Sequence, residues 1–336
     1  MPRWRAWLPQ AADGHYTASS IEVKRRCAMD RYKGVVDRLK GPVVPLNICF
    51  TAEGTIDYPA QRRYVNWLCE QGVPVILLTY GSSEFSLLGD EDLWRLSAEM
   101  AAEVAGRALM IGSTSYWNVA TCRKFLQHAE ESGLDGVKVQ MNPWMGQTDP
   151  AVFIAYHDQI QDAAPIPLLL WCNSGGGGGV PIEAVAELAR RPQVVGVKND
   201  EDPFGYYYNL IRATIDEDFA VISGGQMRNI AFGYQVGSPA YLCTIAPFRP
   251  DIALEFYGLL VAGDYDAAWQ MVFRYEDAWL TRAGELEWLF SIKTAIHLHG
   301  LFPEHHMAPL RGHDSARAEQ VRACLEEVFG AIKPAI

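Results

Sequence analysis

Short apolar runs and amphipathic helical stretches alternate eight times between residues 43 and 262, and this alternation restricts the folds open to the chain. The runs are rich in Val, Ile and Leu, as expected for strands that are buried on both faces of a parallel sheet. Eight such β–α units predict a (β/α)8 TIM barrel. An open doubly wound sheet is disfavoured because the loop at 51–55 lacks a glycine-rich nucleotide motif. The predicted strands are Val43–Phe50, Pro74–Leu78, Leu109–Gly112, Gly136–Val139, Pro167–Cys172, Val194–Lys198, Ala220–Ser223 and Ala240–Thr244.

The chain divides into three predicted regions. The barrel occupies residues 37–263. Residues 1–36 show no sustained period, and we interpret them as an irregular N-terminal extension that lies over the barrel or is partly disordered. Residues 264–336 form a C-terminal helical appendix, which would cover one side of the barrel or make an oligomer interface. Its predicted helices are Tyr265–Ala283, Leu286–His299 and Ala316–Ile332.

Composition argues against several classes of function. The formal net charge of -11 disfavours a nucleic-acid partner or an anionic membrane surface. The seven cysteines are scattered without a CxxC pair, which favours reduced thiols. The sequence shows neither an apolar run of about 18 residues nor the apolar core of a signal peptide. We therefore expect a cytoplasmic protein that does not contact a membrane.

Lys198 ends the sixth predicted strand, after Val194-Val195-Gly196-Val197. A lysine pressed against an apolar wall loses solvation of its charged form, so its pKa falls and the free amine can attack a carbonyl. Taken alone, the residue is better explained as a strand-end lysine whose ammonium reaches water. The carboxyl ends of the strands form the face where barrel active sites are built, and this position favours an imine-forming lysine.

Polar residues follow other predicted strands at the same face. Ser82 and Ser83, after the second strand, offer hydroxyl and backbone N–H donors to a carboxylate. Trp144 follows the fourth strand and Gly224 follows the seventh. Each is a weak signal alone because such residues are common in loops. The five glycines at 175–179, after the fifth strand, favour a flexible linker over a phosphate cradle, since no Lys-Ser or Lys-Thr follows them.

Short motifs recur at the predicted strand ends and in the appendix: Gly81-Ser82-Ser83-Glu84, Asn142-Pro143, Gly196-Val197-Lys198, Ser223-Gly224, Ile292-Lys293-Thr294-Ala295 and Gly300-Leu301. With these motifs, the chain from about Asp37 to Ile332 resembles the dihydrodipicolinate synthase / N-acetylneuraminate lyase family of imine-forming aldolases. The resemblance implies that Lys198 forms a Schiff base with pyruvate or another 2-oxo acid, and that Ser82 and Ser83 bind the carboxylate. It also implies a carbonyl-lining position near Leu242 and Cys243, with Gly224 on the substrate side, and a homotetramer.

Three positions depart from the family pattern. Trp144 stands where the family has a proton-relay tyrosine, and indole carries no group that shuttles a proton near neutral pH. Tyr80, Tyr116 or a water would have to replace that tyrosine. Ser83 stands where the motif has a glycine before Glu84, or else the loop is one residue shorter, and Gln147 stands at about the place where the synthases carry an arginine for a second carboxylate. We therefore expect a reaction other than dihydrodipicolinate synthesis, with Trp144 shaping the acceptor side.

The sequence predicts a class I aldolase, lyase or hydro-lyase that needs no cofactor or metal. The alternative is a catalytically impaired 2-oxo acid-binding barrel with a regulatory role. A turnover measurement would distinguish this barrel from an active enzyme. A metal-dependent lyase is disfavoured because no Asp, Glu or His set follows successive strands. Large aromatics in the appendix, with Trp269 and Phe273 among them, predict a homo-oligomer. The late histidines, which we assign to the surface or a subunit interface, are His297, His299, His305, His306 and His313.

Overall fold

A closed barrel of eight parallel strands forms the centre of the computed structural model, which confirms the predicted fold class. The strands follow one another in chain order, and the last pairs with the first at Ala240 and Gly41. The structure describes residues 18–79, 81–173, 179–201 and 204–335. The strands are β1 (Gly41–Pro45), β2 (Val75–Leu77), β3 (Leu109–Ser113), β4 (Gly136–Lys138), β5 (Leu168–Cys172), β6 (Val194–Asn199), β7 (Ala220–Ser223) and β8 (Ala240–Leu242).

Helices α2 to α9 each follow one strand and surround the barrel, and α10 to α13 form the C-terminal helical part. Side-chain caps fix several helix starts. Asp57, Asn118 and Asp149 each accept a hydrogen bond from a backbone N–H of the first turn. The helices are α1 (Ala18–Arg38), α2 (Tyr58–Glu70), α3 (Asp90–Val104), α4 (Val119–Glu131), α5 (Pro150–Ile160), α6 (Ile182–Ala189), α7 (Phe204–Thr214), α8 (Met227–Gly233), α9 (Pro250–Ala262), α10 (Tyr265–Met271), α11 (Ala278–Glu285), α12 (Trp288–Leu298) and α13 (Ser315–Phe329).

Residues 18–36 are helical, so the expectation of an irregular segment was wrong there. The end of α1 packs on the barrel interior, where Tyr32 and Val35 join a cluster with Val43. Of the α1 side chains described before Tyr32, none is buried, and Val23 and Met29 are exposed, which explains why the sequence shows no sustained period there. Residues 1–17 lie outside the described residues. The predicted region boundary at residue 36 stays a prediction.

The first predicted strand was placed too late and too long. The observed strand ends at Pro45, which has no N–H to donate toward β8, although the N–H of Leu46 still bonds the carbonyl of Leu77 on β2. The following apolar residues serve the core without being part of the barrel sheet; Phe50 pairs with Ile56 in an isolated antiparallel bridge. Two other sequence interpretations, on Tyr80 and on the glycines at 175–178, fall outside the described residues.

The C-terminal helices match the predicted stretches, with a π-helix at 272–277 joining α10 to α11. Trp279 is fully buried, with its ring centroid 5.4 Å from that of Phe248. Phe273 and Trp288 keep about half of their surface exposed, 55% and 42% respectively. Oligomerisation through this surface stays a prediction.

Apolar side chains fill the barrel interior up to the level of a few polar groups. These polar groups lie toward the carboxyl ends of β4 and β6, above a floor of aliphatic residues. The floor consists of Val43, Val75, Leu109, Ile111, Leu169, Val195, Ala220, Ile222 and Ala240.

Candidate active site at the carboxyl end of the barrel

Lys198 is the last residue but one of β6, and it lies opposite Trp171 on β5 and Ile222 on β7. Its side chain faces the barrel interior, because Val197 packs outward among residues of the surrounding helices. Only 6% of the residue is exposed. The amine is not isolated: Nζ donates to Oδ2 of Asp200 in a short ion pair.

Asp200 collects donors from two strands. Its Oδ2 accepts from Lys198 Nζ and also from Trp171 Nε1, at 2.6 Å. Burial raises the pKa of Asp200, but the charge and hydrogen bond of Lys198, the indole N–H and the charge of Lys138 outweigh it and hold the pKa below its usual range. The carboxylate is therefore ionised at neutral pH, and it is placed to receive a proton from Lys198.

Gly224 makes the position of Asp200 possible. A Cβ at Gly224 would collide with Oδ1 of Asp200 and with the carbonyl oxygen of Asn199. Only glycine lets the loop after β7 approach the end of β6 this closely. The structure thus places Gly224 against the ion pair, while its contact with a substrate stays a prediction.

Lys138 on β4 is a second buried amine, which the sequence interpretation missed. A Cβ at Gly136 would meet the interior side chains of Ile111 and Leu169, so Lys138, two residues later, also faces inward. Only 1% of the residue is exposed, and Nζ lies 4.9 Å from the ring centroid of Trp171. Burial, together with the charge of Lys198, holds the pKa of Lys138 well below its usual range, although Asp200 acts in the opposite direction.

The loop after β2 carries the two predicted carboxylate-binding serines. Ser83 is fully buried, and its Oγ accepts a hydrogen bond of 3.0 Å from the backbone N–H of Thr79. Ser82 is 4% exposed. Both lie at the carboxyl end of the barrel, on the same face as Lys198, and both hydroxyls keep a hydrogen to donate. Their contact with a carboxylate stays a prediction.

Glu84, directly after these serines, anchors the loop to the C-terminal helices. Its backbone is left-handed, with φ of 51°. Lys293 on α12 donates to Oε1 in a short ion pair, and Nδ1 of His306 lies 3.3 Å from Oε2. Burial raises the pKa of Glu84, but the hydrogen bonds and charges of His306 and Lys293 lower it further than burial raises it. The pair is separated by 209 residues in sequence, and nothing local signals it.

The other predicted positions are placed differently from one another. Leu242 is buried in the barrel interior. Trp144 is 84% exposed, so its indole does not line the barrel mouth in this structure. Gln147 is fully buried, and its Nε2 donates to the carbonyl of Trp171 at 3.2 Å, which directs the amide to the backbone of β5. Tyr116 stacks on Trp171 with ring centroids 6.2 Å apart.

The described residues include no group of three or more His, Cys, Asp or Glu side chains placed to hold a metal ion. Of the late histidines, His306 contacts the carboxylates of Glu84 and Glu304, and Nδ1 of His299 contacts the carbonyl of Ala295. None of the helices in the described ranges has the length and apolar character needed to cross a membrane.

Comparison with known proteins places this geometry in a family. The sequence model of the dihydrodipicolinate synthetase family matches residues 38–328. A 4-hydroxy-tetrahydrodipicolinate synthase of Methanosarcina barkeri is 29% identical over 267 residues, which cover 78% of this chain and 89% of the relative. An uncharacterized DapA-like lyase of Pyrococcus horikoshii is 28% identical over 237 residues, covering 68% and 79%. Among solved structures, YagE of E. coli K12, a prophage protein of the dihydrodipicolinic acid synthase family in complex with pyruvate, superposes with a TM-score of 0.78 at 22% identity, covering 87% of this chain and 99% of YagE.

Proposed function

This chain belongs to the dihydrodipicolinate synthetase family of class I aldolase-type lyases, and we propose that it acts on pyruvate or another 2-oxo acid through an imine on Lys198. The observation that carries the proposal is the placement of the Lys198 amine inside the barrel mouth, beside a carboxylate that can take its proton. The pyruvate complex of YagE supports a small 2-oxo acid as the ligand class.

The chemistry follows from the contacts of Lys198. Its ammonium loses a proton, and the free amine attacks the ketone carbon of the 2-oxo acid. Loss of water from the adduct gives an iminium, which then accepts electrons as a bond to the neighbouring carbon is made or broken. Ser82 and Ser83, on the same barrel face, would hold the carboxylate through O–H and backbone N–H donors.

Gln147 supports a reaction other than dihydrodipicolinate synthesis. A guanidinium can grip a second carboxylate with two hydrogen bonds, whereas the Gln147 amide is fully buried and bonded to the backbone of β5. We expect the protein not to form 4-hydroxy-tetrahydrodipicolinate. Turnover at a rate typical of an enzyme in that assay would show that another residue holds the second carboxylate.

Borohydride trapping tests the proposed imine. The wild type, Lys198→Met and Lys124→Met are incubated with pyruvate and sodium borohydride, and the intact masses are measured. Lys124 is an exposed residue of α4 and serves as the matched control. We expect one reduced adduct per chain in the wild type and the control, and none in Lys198→Met. No mass increase across a panel of 2-oxo acids, or an increase that persists in Lys198→Met, contradicts the proposal.

A further inference from the structure

Two amines share one layer of the barrel interior. The register sets Lys138 on β4 opposite Leu169 and sets Leu169 opposite Gly196, two residues before Lys198. The strands of an eight-stranded barrel are tilted against its axis. A residue at the same height on the next strand therefore lies about one position after the residue that is paired across the sheet. Lys138 and Lys198 are therefore level, with β5 between them. By the same register the layer of four from alternate strands is Leu77, Lys138, Lys198 and Leu242.

The two amines have unequal partners. Lys198 is paired with Asp200, whereas in the part of the chain that the structure describes no carboxylate or carbonyl accepts from Lys138. Nζ of Lys138 lies 4.9 Å from the ring centroid of Trp171, whose N–H binds the same Asp200 oxygen as Lys198. Asp200 is therefore ion-paired with Lys198, and it acts on Lys138 through its charge alone. The charges of the site balance when the Asp200 carboxylate faces a protonated Lys198 and Lys138 is uncharged. This agrees with the low pKa of Lys138.

We propose that Lys138 is the proton-transfer partner of Lys198 during imine formation. The inference rests on the proposed function. Uncharged Lys138 takes a proton from the Lys198 ammonium, directly or through Asp200, and becomes an ammonium. The freed Lys198 amine attacks the ketone and, after an internal proton shift, gives a neutral carbinolamine. Lys138 returns its proton to the carbinolamine hydroxyl, water leaves, and the iminium forms. One ammonium and one ketone have become one iminium and one water, and Lys138 is again uncharged.

Other candidates for this proton transfer fit the geometry less well. Trp144 lies in solvent, and its indole holds no transferable proton near neutral pH. Tyr116 lies in the loop after β3 and stacks on Trp171, outside the layer that holds Lys198. The charged groups that act on Lys138 are Lys198 and Asp200, both on or directly after β6. Lys138 is the amine that shares a layer with Lys198.

The rate of imine formation tests the inference. Rapid mixing with saturating pyruvate, followed by borohydride quenching, gives the rate for the wild type, Lys138→Met, Lys138→Ala, Tyr116→Phe and Lys124→Met. We expect both Lys138 variants to trap pyruvate about 10²-fold more slowly. This is the lower end of the rate loss that usually follows removal of a positioned acid–base group. Pyruvate affinity should change little. Tyr116→Phe should be slowed less than either Lys138 variant, and Lys124→Met, at an exposed residue of α4, should trap pyruvate at the wild-type rate.

Chemical rescue separates a proton-transfer role from a structural one. Methylamine should accelerate trapping in Lys138→Ala, which leaves a space for it, and not in Lys138→Met, where the side chain fills that space. The methionine variant should fold, because an apolar chain of similar length replaces a buried polar group.

Three results would overturn the inference while leaving the proposed function intact. The first is a wild-type trapping rate in Lys138→Met. The second is a loss of pyruvate affinity with an unchanged saturating rate, which would make Lys138 an anion-binding group. The third is a 10²-fold loss in Tyr116→Phe without one in Lys138→Met. If the wild type itself traps no 2-oxo acid, the proposed function fails and the inference fails with it.

Discussion

The barrel mouth and the loop anchor both bury lysine, but they balance its charge in opposite ways. At the anchor, Lys293 faces Glu84 with neither side chain exposed, and His306 contacts the second carboxylate oxygen. At the mouth, Lys138 and Lys198 share the single carboxylate of Asp200. A buried lysine with its own carboxylate is a structural charge, which is costly to disturb. A buried lysine without one gives up its proton and can act as a base.

The anchor matters to the mouth because it holds the serine loop. Glu84 adopts a left-handed backbone, which a non-glycine residue keeps only when its surroundings fix it. The ion pair to Lys293 supplies that constraint, and Nζ of Lys293 also lies 4.5 Å from the ring centroid of Phe50. A stable, charge-balanced cluster thus positions Ser82 and Ser83, while the unbalanced pair of amines does chemistry opposite them.

Breaking the anchor should have the largest effect on stability. Lys293→Met leaves Glu84 as a buried carboxylate without its main partner, and we expect a loss of about 3–5 kcal/mol in the free energy of unfolding. Lys138→Met is the matched control: it removes an uncharged amine and should change stability by less than about 1.5 kcal/mol. Urea unfolding at neutral pH measures both. Equal losses in the two variants would show that the two regions do not differ in charge balance.

Removing the shared carboxylate should alter the pH dependence of trapping. Asp200→Asn keeps an oxygen for the Trp171 N–H but no longer stabilises an ammonium on Lys198. Without the negative charge of Asp200, the pH midpoint for borohydride trapping of pyruvate should shift to lower pH. Asp251→Asn, which alters an exposed ion pair with Arg249, is the control and should leave the midpoint in place. A midpoint that rises or stays unchanged in Asp200→Asn argues against the shared-carboxylate account.

The smallest expected effect concerns His306 at the anchor. Burial lowers the pKa of His306, but hydrogen bonds to Glu304 and Glu84 raise it more, so the folded state binds the proton more tightly than the unfolded chain. This contribution is complete below the pKa of an unfolded histidine, and it is lost as the pH rises through the folded value. The wild type should therefore lose slightly more stability than His306→Gln between about pH 6 and pH 8. Urea unfolding measures the free energy of unfolding of both proteins at each pH. An equal change in the two proteins across that range would refute the assignment.

The barrel could be predicted from the sequence because each strand has a recognisable local pattern. Every buried parallel strand is a short apolar run with a helical stretch behind it, and eight repeats leave few alternatives. Lys198 was detectable for the same reason, since it interrupts an apolar strand at its carboxyl end. Lys138 carried a similar signal. The alternation Gly136-Val137-Lys138-Val139 puts the lysine on the glycine side of the strand, which faces the barrel interior.

Other features depend on contacts that a local pattern does not reveal. The pairing of Glu84 with Lys293 joins two distant segments and exists only because α12 folds back on the loop after β2. The orientation of Trp144 depends on a turn in which its backbone N–H binds Oδ1 of Asn142, which leaves the indole in solvent. The helix α1 was missed because none of its described side chains is buried before Tyr32.

The central claim is that the two amines of one barrel layer divide the work, Lys198 forming the bond and Lys138 carrying the proton. Its most direct test is to locate the adduct in the wild-type protein after pyruvate and borohydride treatment, by proteolysis and tandem mass spectrometry. The account predicts the reduced pyruvyl group on Lys198, with Lys138 unmodified in the same sample. An adduct on Lys138, or one divided between the two lysines, would contradict it.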